Sequence, residues 1–305
     1  MRALISTPDG PSPAEIQDVD EPSPASGELV LEVRFASLNR GELHLLEARP
    51  GWRPGQDVSG VVVQAASDGS GPPEGARAVA LVDQAGWAER VAAPTSRVAP
   101  LPDGVGFGAA ATLGVAGLTA LRTLRLGGNL LGRDVLVTGA SGGVGRFAVQ
   151  LAAIGGARVT AAVGSATRGE GLEGLGAAGI VTGAEDAGGP FDFVMEGVGG
   201  GSLERSVHAL KPSGAVALYG TAAGQPARLG LIDFRGCPGA RIQSFFIYST
   251  DVGTFGRDLA LLAGLMAEGK LRPQIGLEVS WRNLGAALES LRGRHVMGKA
   301  ILRID

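Results

Sequence analysis

"VLVTGASGGVGRFAVQLAA", residues 135–153, carries most of the information about the fold. β-forming residues run into an uncharged stretch of glycines, and apolar residues then recur at helical spacing. A strand, a tight turn and a helix in that order leave the first N–H groups of the helix free at the turn. The partial positive charge there favours phosphate. A dinucleotide fingerprint sets three glycines in a G-x-G-x-x-G frame after such a strand. Ala140, Gly142 and Gly145 occupy that frame here. Ala140 can make the turn if its φ is negative, Gly142 leaves room for a pyrophosphate, and Gly145 lets helix and strand touch. The turn formed by Ala140, Ser141, Gly142, Gly143, Val144 and Gly145 is a candidate phosphate cradle. Taken alone, the same pattern also describes a merely compact strand-to-helix turn.

The second strand, "RVTAAVG" (158–164), supplies the missing context. An NAD site carries an acid at the end of that strand, about 20 residues beyond the glycines, for the ribose hydroxyls. This chain has "VGSATRGE" (163–170), with Gly164, Ser165 and Arg168 and no acid before Glu170. A carboxylate there would repel a 2′-phosphate, whereas a hydroxyl and a guanidinium would bind one. Arg168 alone also reads as a solvated arginine at a helix start. The absent acid carries the inference, and the expected cofactor is NADPH.

From about residue 108 to 248 strands alternate with helices, which predicts a parallel sheet covered on both faces. The expected pieces are a long helix over 109–126, the strand "DVLVTG" and a helix over 143–155. After "RVTAAVG" come a glycine-weakened helix near 168–177, then "GIVT", "FDFVME", a helix over 201–210, "AVALYG" and "RIQSFFIY". The first hundred residues are β-rich. In "ELVLEVRFASLN" (28–39), Leu29, Leu31, Val33 and Phe35 share one face and Glu32 and Arg34 the other, as in a half-buried strand. "SGVVVQAAS", "GARAVALV" and "GWAERVAAP" are further strands, broken by the turn cluster "DGSGPPEG" and by one helical piece, "NRGELHLLEA". After residue 248 a helix, a strand entry at "LRPQIGLEVS", a helix over 281–292 and a closing strand in "HVMGKAILRID" return to that pattern. The predicted class is α/β, a doubly wound parallel sheet over 108–248 with a β-rich domain formed by 1–107 and 249–305.

The chain has 305 residues, of which 51 are glycine and 45% hydrophobic, so it can bury a real core in each domain. A net charge of −3 gives no electrostatic footprint for nucleic acid. Cys237 is the single cysteine, which excludes an internal disulfide and a multi-thiolate zinc site. With only His44, His208 and His295 beside it, no metal centre is expected. "MRALISTPDG" lacks the apolar stretch of a signal peptide and no 18-residue apolar run exists. The expectation is a soluble, cytoplasmic protein without a membrane partner.

The segments "ASLNRGEL", "GQDVSGVV", "AATLGVAGLTALRTL", "VLVTGASGGVGRFAVQLA", "VGSATR", "FVMEGVGG", "LKPSGAVALYG" and "VMGKAIL" span nearly the whole chain. Together they resemble the medium-chain dehydrogenase/reductase superfamily, in its zinc-free quinone oxidoreductase branch. The resemblance implies a GroES-like substrate domain built from both chain ends around a Rossmann domain, NADPH in the cleft between them, and homodimers joined through Rossmann sheet edges. It places cofactor contacts at Asn39, Thr119, the Ala140–Gly145 turn, Gly164, Ser165 and Arg168. Further contacts fall on Gly197, Val198, Tyr219, Gly220, Phe246, Arg294 and Lys299. Arg294 and Lys299 match a family pattern of arginine, three residues, then Gly-Lys, and read equally as surface basic residues. Gly114 stands where relatives usually have proline, which predicts a looser helix entry. Gly183 stands where many carry a tyrosine over the adenosine end, and His44 where some carry a pocket tyrosine.

Without zinc there is no strong Lewis acid to polarise an alcohol or a simple carbonyl. Hydride transfer to a conjugated acceptor needs less, because delocalisation spreads charge onto an oxygen that hydrogen bonds can stabilise. Asn39 and His44 are the candidate catalytic residues near the nicotinamide. Asn39 reads equally as the cap of "RGELHLL", and His44 also as a pocket-lining or surface histidine. Trp52, Phe246 and Tyr248 suit either a flat pocket or core. Three functions stay open: an NADPH-dependent quinone reductase, an enoyl or enone reductase of secondary metabolism, and an NADPH-binding protein with little activity.

Overall fold

A computed structural model describes residues 1–10 and 12–305, and the chain divides into two units. One comprises Met1–Leu118 with Asp251–Asp305, the other Thr119–Thr250. The first opens with a hairpin of β1 (Arg2–Ser6) and β2 (Ala14–Asp18), paired antiparallel. Then come β3 (Glu28–Leu38), α1 (Arg40–Ala48), β4 (Asp57–Gln64), β5 (Arg77–Leu81), β6 (Arg90–Pro94), β7 (Val98–Pro100) and α2 (Phe107–Ala110). In β3, Leu29, Leu31 and Val33 are buried and Arg34 is exposed, as the alternation predicts, but Val30 is buried too and Phe35 only half-buried.

The helical pattern over 109–126 does not form one helix. α2 is followed by a wider, π-type turn over Leu113–Gly117 and then by α3 (Leu118–Arg125). The interruption has a tertiary cause. Asp57 at the start of β4 accepts the Val115 N–H through Oδ1 (2.7 Å), and a Cβ on Gly114 would collide with the same carboxylate. Gly114 therefore anchors the helix entry rather than loosening it. Ser59 Oγ also donates to the Phe107 carbonyl (2.7 Å), so residues 107–118 belong to the first unit and the division falls at Thr119 instead of 108.

The second unit carries β8 (Asp134–Thr138), α4 (Gly143–Ile154), β9 (Arg158–Val163), β10 (Ala177–Thr182), β11 (Phe191–Glu196), α5 (Gly201–His208), β12 (Leu210–Leu218) and β13 (Arg241–Ser244). Its six strands are all parallel, in the order β10-β9-β8-β11-β12-β13. That is the doubly wound Rossmann order, and its switch point lies between β8 and β11. The helix expected near 168–177 is absent. Two short 3₁₀ turns, Ala166–Gly169 and Glu173–Leu175, replace it, because Gly171 (φ 78°) and Gly176 (φ 103°) adopt left-handed backbone that no α-helix accommodates.

The chain then returns to the first unit with α6 (Phe255–Ala267), β14 (Ile275–Ser280), α7 (Leu284–Arg292) and β15 (Lys299–Arg303). A seven-stranded sheet runs β14-β15-β3-β4-β5-β7, with β6 also on β3. β15 pairs antiparallel with β3, so the two ends of the chain build one GroES-like sheet. Trp87 and Trp281 are fully buried in its core. Among the described residues, no helix is long and apolar enough to cross a membrane.

Candidate functional site

The turn after β8 is built so that backbone can be approached closely. The positive φ falls on Gly139 (59°) rather than Ala140, whose N–H donates to the Ala162 carbonyl (3.0 Å). Gly142 caps α4 in extended backbone (φ −80°, ψ 176°), and no side chain caps the helix. The N–H groups at its start are therefore open to an anion. A Cβ on Gly142 would meet only the Gly139 oxygen, at 3.3 Å, with open space beyond. One on Gly145 would overlap Gly139 O and Ala140 Cα, so that glycine is required by helix–strand contact. Gly143 and Val144 form the first turn of α4.

Ser141, buried, accepts a hydrogen bond from Arg168 Nε (3.0 Å). The guanidinium expected at the end of the second strand thus reaches the glycine turn itself. Gly164 is exposed with no atom near its missing Cβ, and Ser165 Oγ pairs with Thr167 Oγ1 (3.1 Å). Beside this lies a carboxylate that sequence reasoning passed over. Glu196, fully buried at the end of β11, accepts from Val198 N–H (2.8 Å) and Gly199 N–H (2.9 Å) on one oxygen. It accepts from Ser202 Oγ (3.1 Å) and Ser206 Oγ (2.6 Å) on the other. Its position on "FVMEGVGG" was the only available signal.

Gly197, Tyr219 and Gly220 pack on one another. The Tyr219 ring occupies the place a Gly197 Cβ would take, and its hydroxyl donates to the Thr138 carbonyl (3.3 Å). Burial, with the Glu196 charge nearby, pushes the Tyr219 hydroxyl well above the usual phenol range. Tyr219 shapes the turn, and its polar atom faces inward. Thr119 is buried at the start of α3; Phe246 is 64% exposed, its ring centroid 5.6 Å from that of Tyr248. Gly183 has φ 84°, left-handed backbone that a side chain adopts only with strain, and a Cβ there would push against the flexible Glu185 carboxylate.

In the first unit, Asn39 caps α1 through its backbone. Its N–H donates to Glu42 Oε2 (2.7 Å) and its carbonyl accepts the Glu42 N–H (3.1 Å). The side chain is engaged elsewhere. Nδ2 donates to Asp57 Oδ2 (3.0 Å), and Oδ1 accepts from Lys299 Nζ (2.6 Å). Lys299, expected at the cofactor, is only 5% exposed, and its three N–H bonds go to Asn39 Oδ1, Leu38 O (2.9 Å) and Asp57 Oδ2 (3.3 Å). An ammonium has three donors, so Lys299 holds Asn39 instead of reaching outward. Ser37 Oγ completes the cluster on Asp57 Oδ2 (2.7 Å). His44 is exposed on α1, and Arg294 is exposed with left-handed backbone (φ 59°).

Glu42 Oε1 is buried without a partner among the described residues. Burial first, and then the neighbouring Asp57 charge, push its carboxyl up to about 8. The folded chain therefore holds a proton that the unfolded chain releases above the usual carboxylate range, so stability falls as pH rises towards about 8 and then levels. Glu42→Gln should unfold like the parent near pH ~5 and be more stable near pH ~8, by on the order of a few kcal/mol. Thermal unfolding across that window checks it; parallel profiles for the two proteins would refute the raised carboxyl.

Residues 176–302 match the zinc-binding dehydrogenase family. A chloroplastic quinone-oxidoreductase homologue of spinach (Spinacia oleracea) is 35% identical over 208 residues, 60% of this chain and 63% of the spinach protein. The chain spans about half to just under two thirds of the curated plant relatives it matches. Among solved structures, a mycobacterial protein complexed with NADPH superimposes with a TM-score of 0.88 at 22% identity, covering 100% of both chains. The CurK enoyl reductase superimposes at 0.86 and 20% identity, covering 100% of this chain and 99% of that one. At those identities the likeness is one of fold.

Proposed function

We infer that this chain is a member of the medium-chain dehydrogenase/reductase superfamily and an NADPH-dependent oxidoreductase that reduces a conjugated acceptor such as a quinone without zinc. One observation carries the reading: Arg168 lies on Ser141 at the open, uncapped start of α4, with no acid at the end of β9. That arrangement suits pyrophosphate at the Gly142 backbone and a further phosphate at Arg168. The reduced nicotinamide, when bound, supplies the hydride.

Zinc does not fit the residues present. Among the described residues no three His, Cys, Asp or Glu side chains are grouped to hold a metal, and Cys237 is buried alone. An acceptor that delocalises its own developing charge suits a site without a Lewis acid. Asn39, held by Asp57 and Lys299, keeps one Nδ2 proton for such an oxygen. Proton delivery falls to His44 or to water. Reduction of an α,β-unsaturated carbonyl is the second reading, because that acceptor also spreads its developing charge onto an oxygen. A buried, unpaired cysteine fits a reducing compartment such as the cytoplasm.

The test is one set of measurements. Fluorescence titration should give NADPH an affinity at least ~10-fold above NADH, since one charge-assisted phosphate contact contributes on the order of 1.5–3 kcal/mol. Arg168→Ala should remove that preference and leave NADH nearly unchanged. NADPH oxidation should then proceed with a small quinone or with a 2-enone, and His44→Ala in the same assay assigns the proton to His44 or to water. Equal affinities for the two cofactors would defeat the NADPH reading, and turnover of neither acceptor would favour a binding protein.

A further inference from the structure

Arg146 is a charged side chain in a buried stretch of helix. It lies one turn into α4, in a run where the residues around it, Gly145 through Ala152, are all buried. It is itself only 4% exposed. Its N–H closes the first helical turn on Gly142 O (3.0 Å), and Gln150 Nε2 bonds back to its carbonyl (3.0 Å). The guanidinium reaches under the turn that follows β9, where one terminal nitrogen donates to the Glu170 carbonyl (3.0 Å). Nε is buried with no partner. Among the described residues no carboxylate pairs with Arg146, and the neighbouring charge that acts on it is a second cation, Arg168. A buried guanidinium beside another cation is unfavourable unless an anion joins them.

We propose that Arg146 is a second arm of the anion site at the end of β9, and that with Arg168 it selects a phosphate monoester on the adenosine ribose. The inference rests on the NADPH reading and goes beyond it by assigning a residue to discrimination between cofactors. Arg168 is fixed from one side by Ser141, and Arg146 from the other by the Glu170 carbonyl. Arg146 adds to Arg168 a second positive charge and a buried Nε–H that has no partner among the described residues. A monoester, with two charges and three free oxygens, matches such a pair better than a pyrophosphate diester does, and the open N–H groups of α4 already suit the diester. Burial first, and then Arg168, push the Arg146 guanidinium below its usual pKa.

Arg146→Gln and Arg146→Lys decide between this role and a merely structural tie to the Glu170 loop. The readout is the ratio of NADPH to NADH affinity, with 2′-AMP and 5′-AMP as probes of the monoester alone. The ratio should fall ~10-fold in the glutamine variant and by a smaller factor in the lysine variant, which keeps the charge but loses the planar fork. Affinity for 2′-AMP should fall in parallel, with NADH and 5′-AMP unchanged. A wild-type ratio in the glutamine variant overturns the proposal, as does equal weakening of both cofactors. Should that variant not fold, a wild-type ratio in the lysine variant overturns it. A parent protein that fails to discriminate NADPH from NADH would instead refute the NADPH reading itself.

Discussion

Gly142→Val is expected to weaken NADPH binding by at least ~100-fold while the chain stays folded, because two charge-assisted contacts of roughly 1.5–3 kcal/mol each would be lost together. The backbone at Gly142 is extended with negative φ, a conformation that β-branched residues adopt readily. Its absent side chain faces only the Gly139 oxygen at 3.3 Å, so the valine methyl groups would stand in the open space in front of the α4 N-terminus. Gly145 gives the contrast. There even a single Cβ would overlap the Gly139 carbonyl and Ala140, so Gly145→Ala should lower the melting temperature before any question of binding arises. Cofactor titration and thermal unfolding on both variants separate the two glycines. A Gly142→Val protein that binds NADPH within threefold of the parent would show that nothing approaches this turn closely.

Asp57→Ala is expected to cost ~3–5 kcal/mol of stability, the usual consequence of removing one partner from a buried ion pair. Asp57 is fully buried and accepts from Ser37 Oγ, Asn39 Nδ2, Lys299 Nζ and Val115 N–H. Alanine would leave the Lys299 ammonium in the interior with only Leu38 O and Asn39 Oδ1, and Val115 N–H without its acceptor. Asp57→Ala with Lys299→Met should recover a large part of that loss, since no charge then remains buried. Urea unfolding of the single and double variants measures it. A double variant no more stable than Asp57→Ala would mean that the lost hydrogen bonds, rather than the stranded charge, set the cost.

The parallel sheet, the glycine turn and the expectation of a dinucleotide were legible in 135–153 because their determinants are local. Hydrophobic period distinguishes strand from helix, and a missing Cβ marks close approach. Local patterning misled where backbone conformation or a distant partner overrode it. Near 168–177 the left-handed glycines replaced a helix with 3₁₀ turns, and over 109–126 the carboxylate of Asp57 broke one helix into pieces. Arg146 escaped notice because a single arginine in an apolar helix is ordinary in sequence. Its exceptional feature, burial without a carboxylate beside a second arginine, exists only once the 165–171 turn lies over α4.

By itself, then, the sequence determined the Rossmann half, the β-rich character of both chain ends and the absence of an acid after β9, all properties of residues within a turn or two of one another. Only the tertiary structure decided that Asn39, Asp57 and Lys299 form one cluster in which Lys299 bonds to both of the others. The physical reason is strand register. Ala300 pairs with Leu38 across β15 and β3, and Ser37 pairs with Asp57 across β3 and β4, which brings three side chains from distant parts of the chain within hydrogen-bonding distance. A slip of one residue in either pairing would turn those side chains to the opposite face of the sheet, and no local pattern in the chain specifies which partner each strand takes.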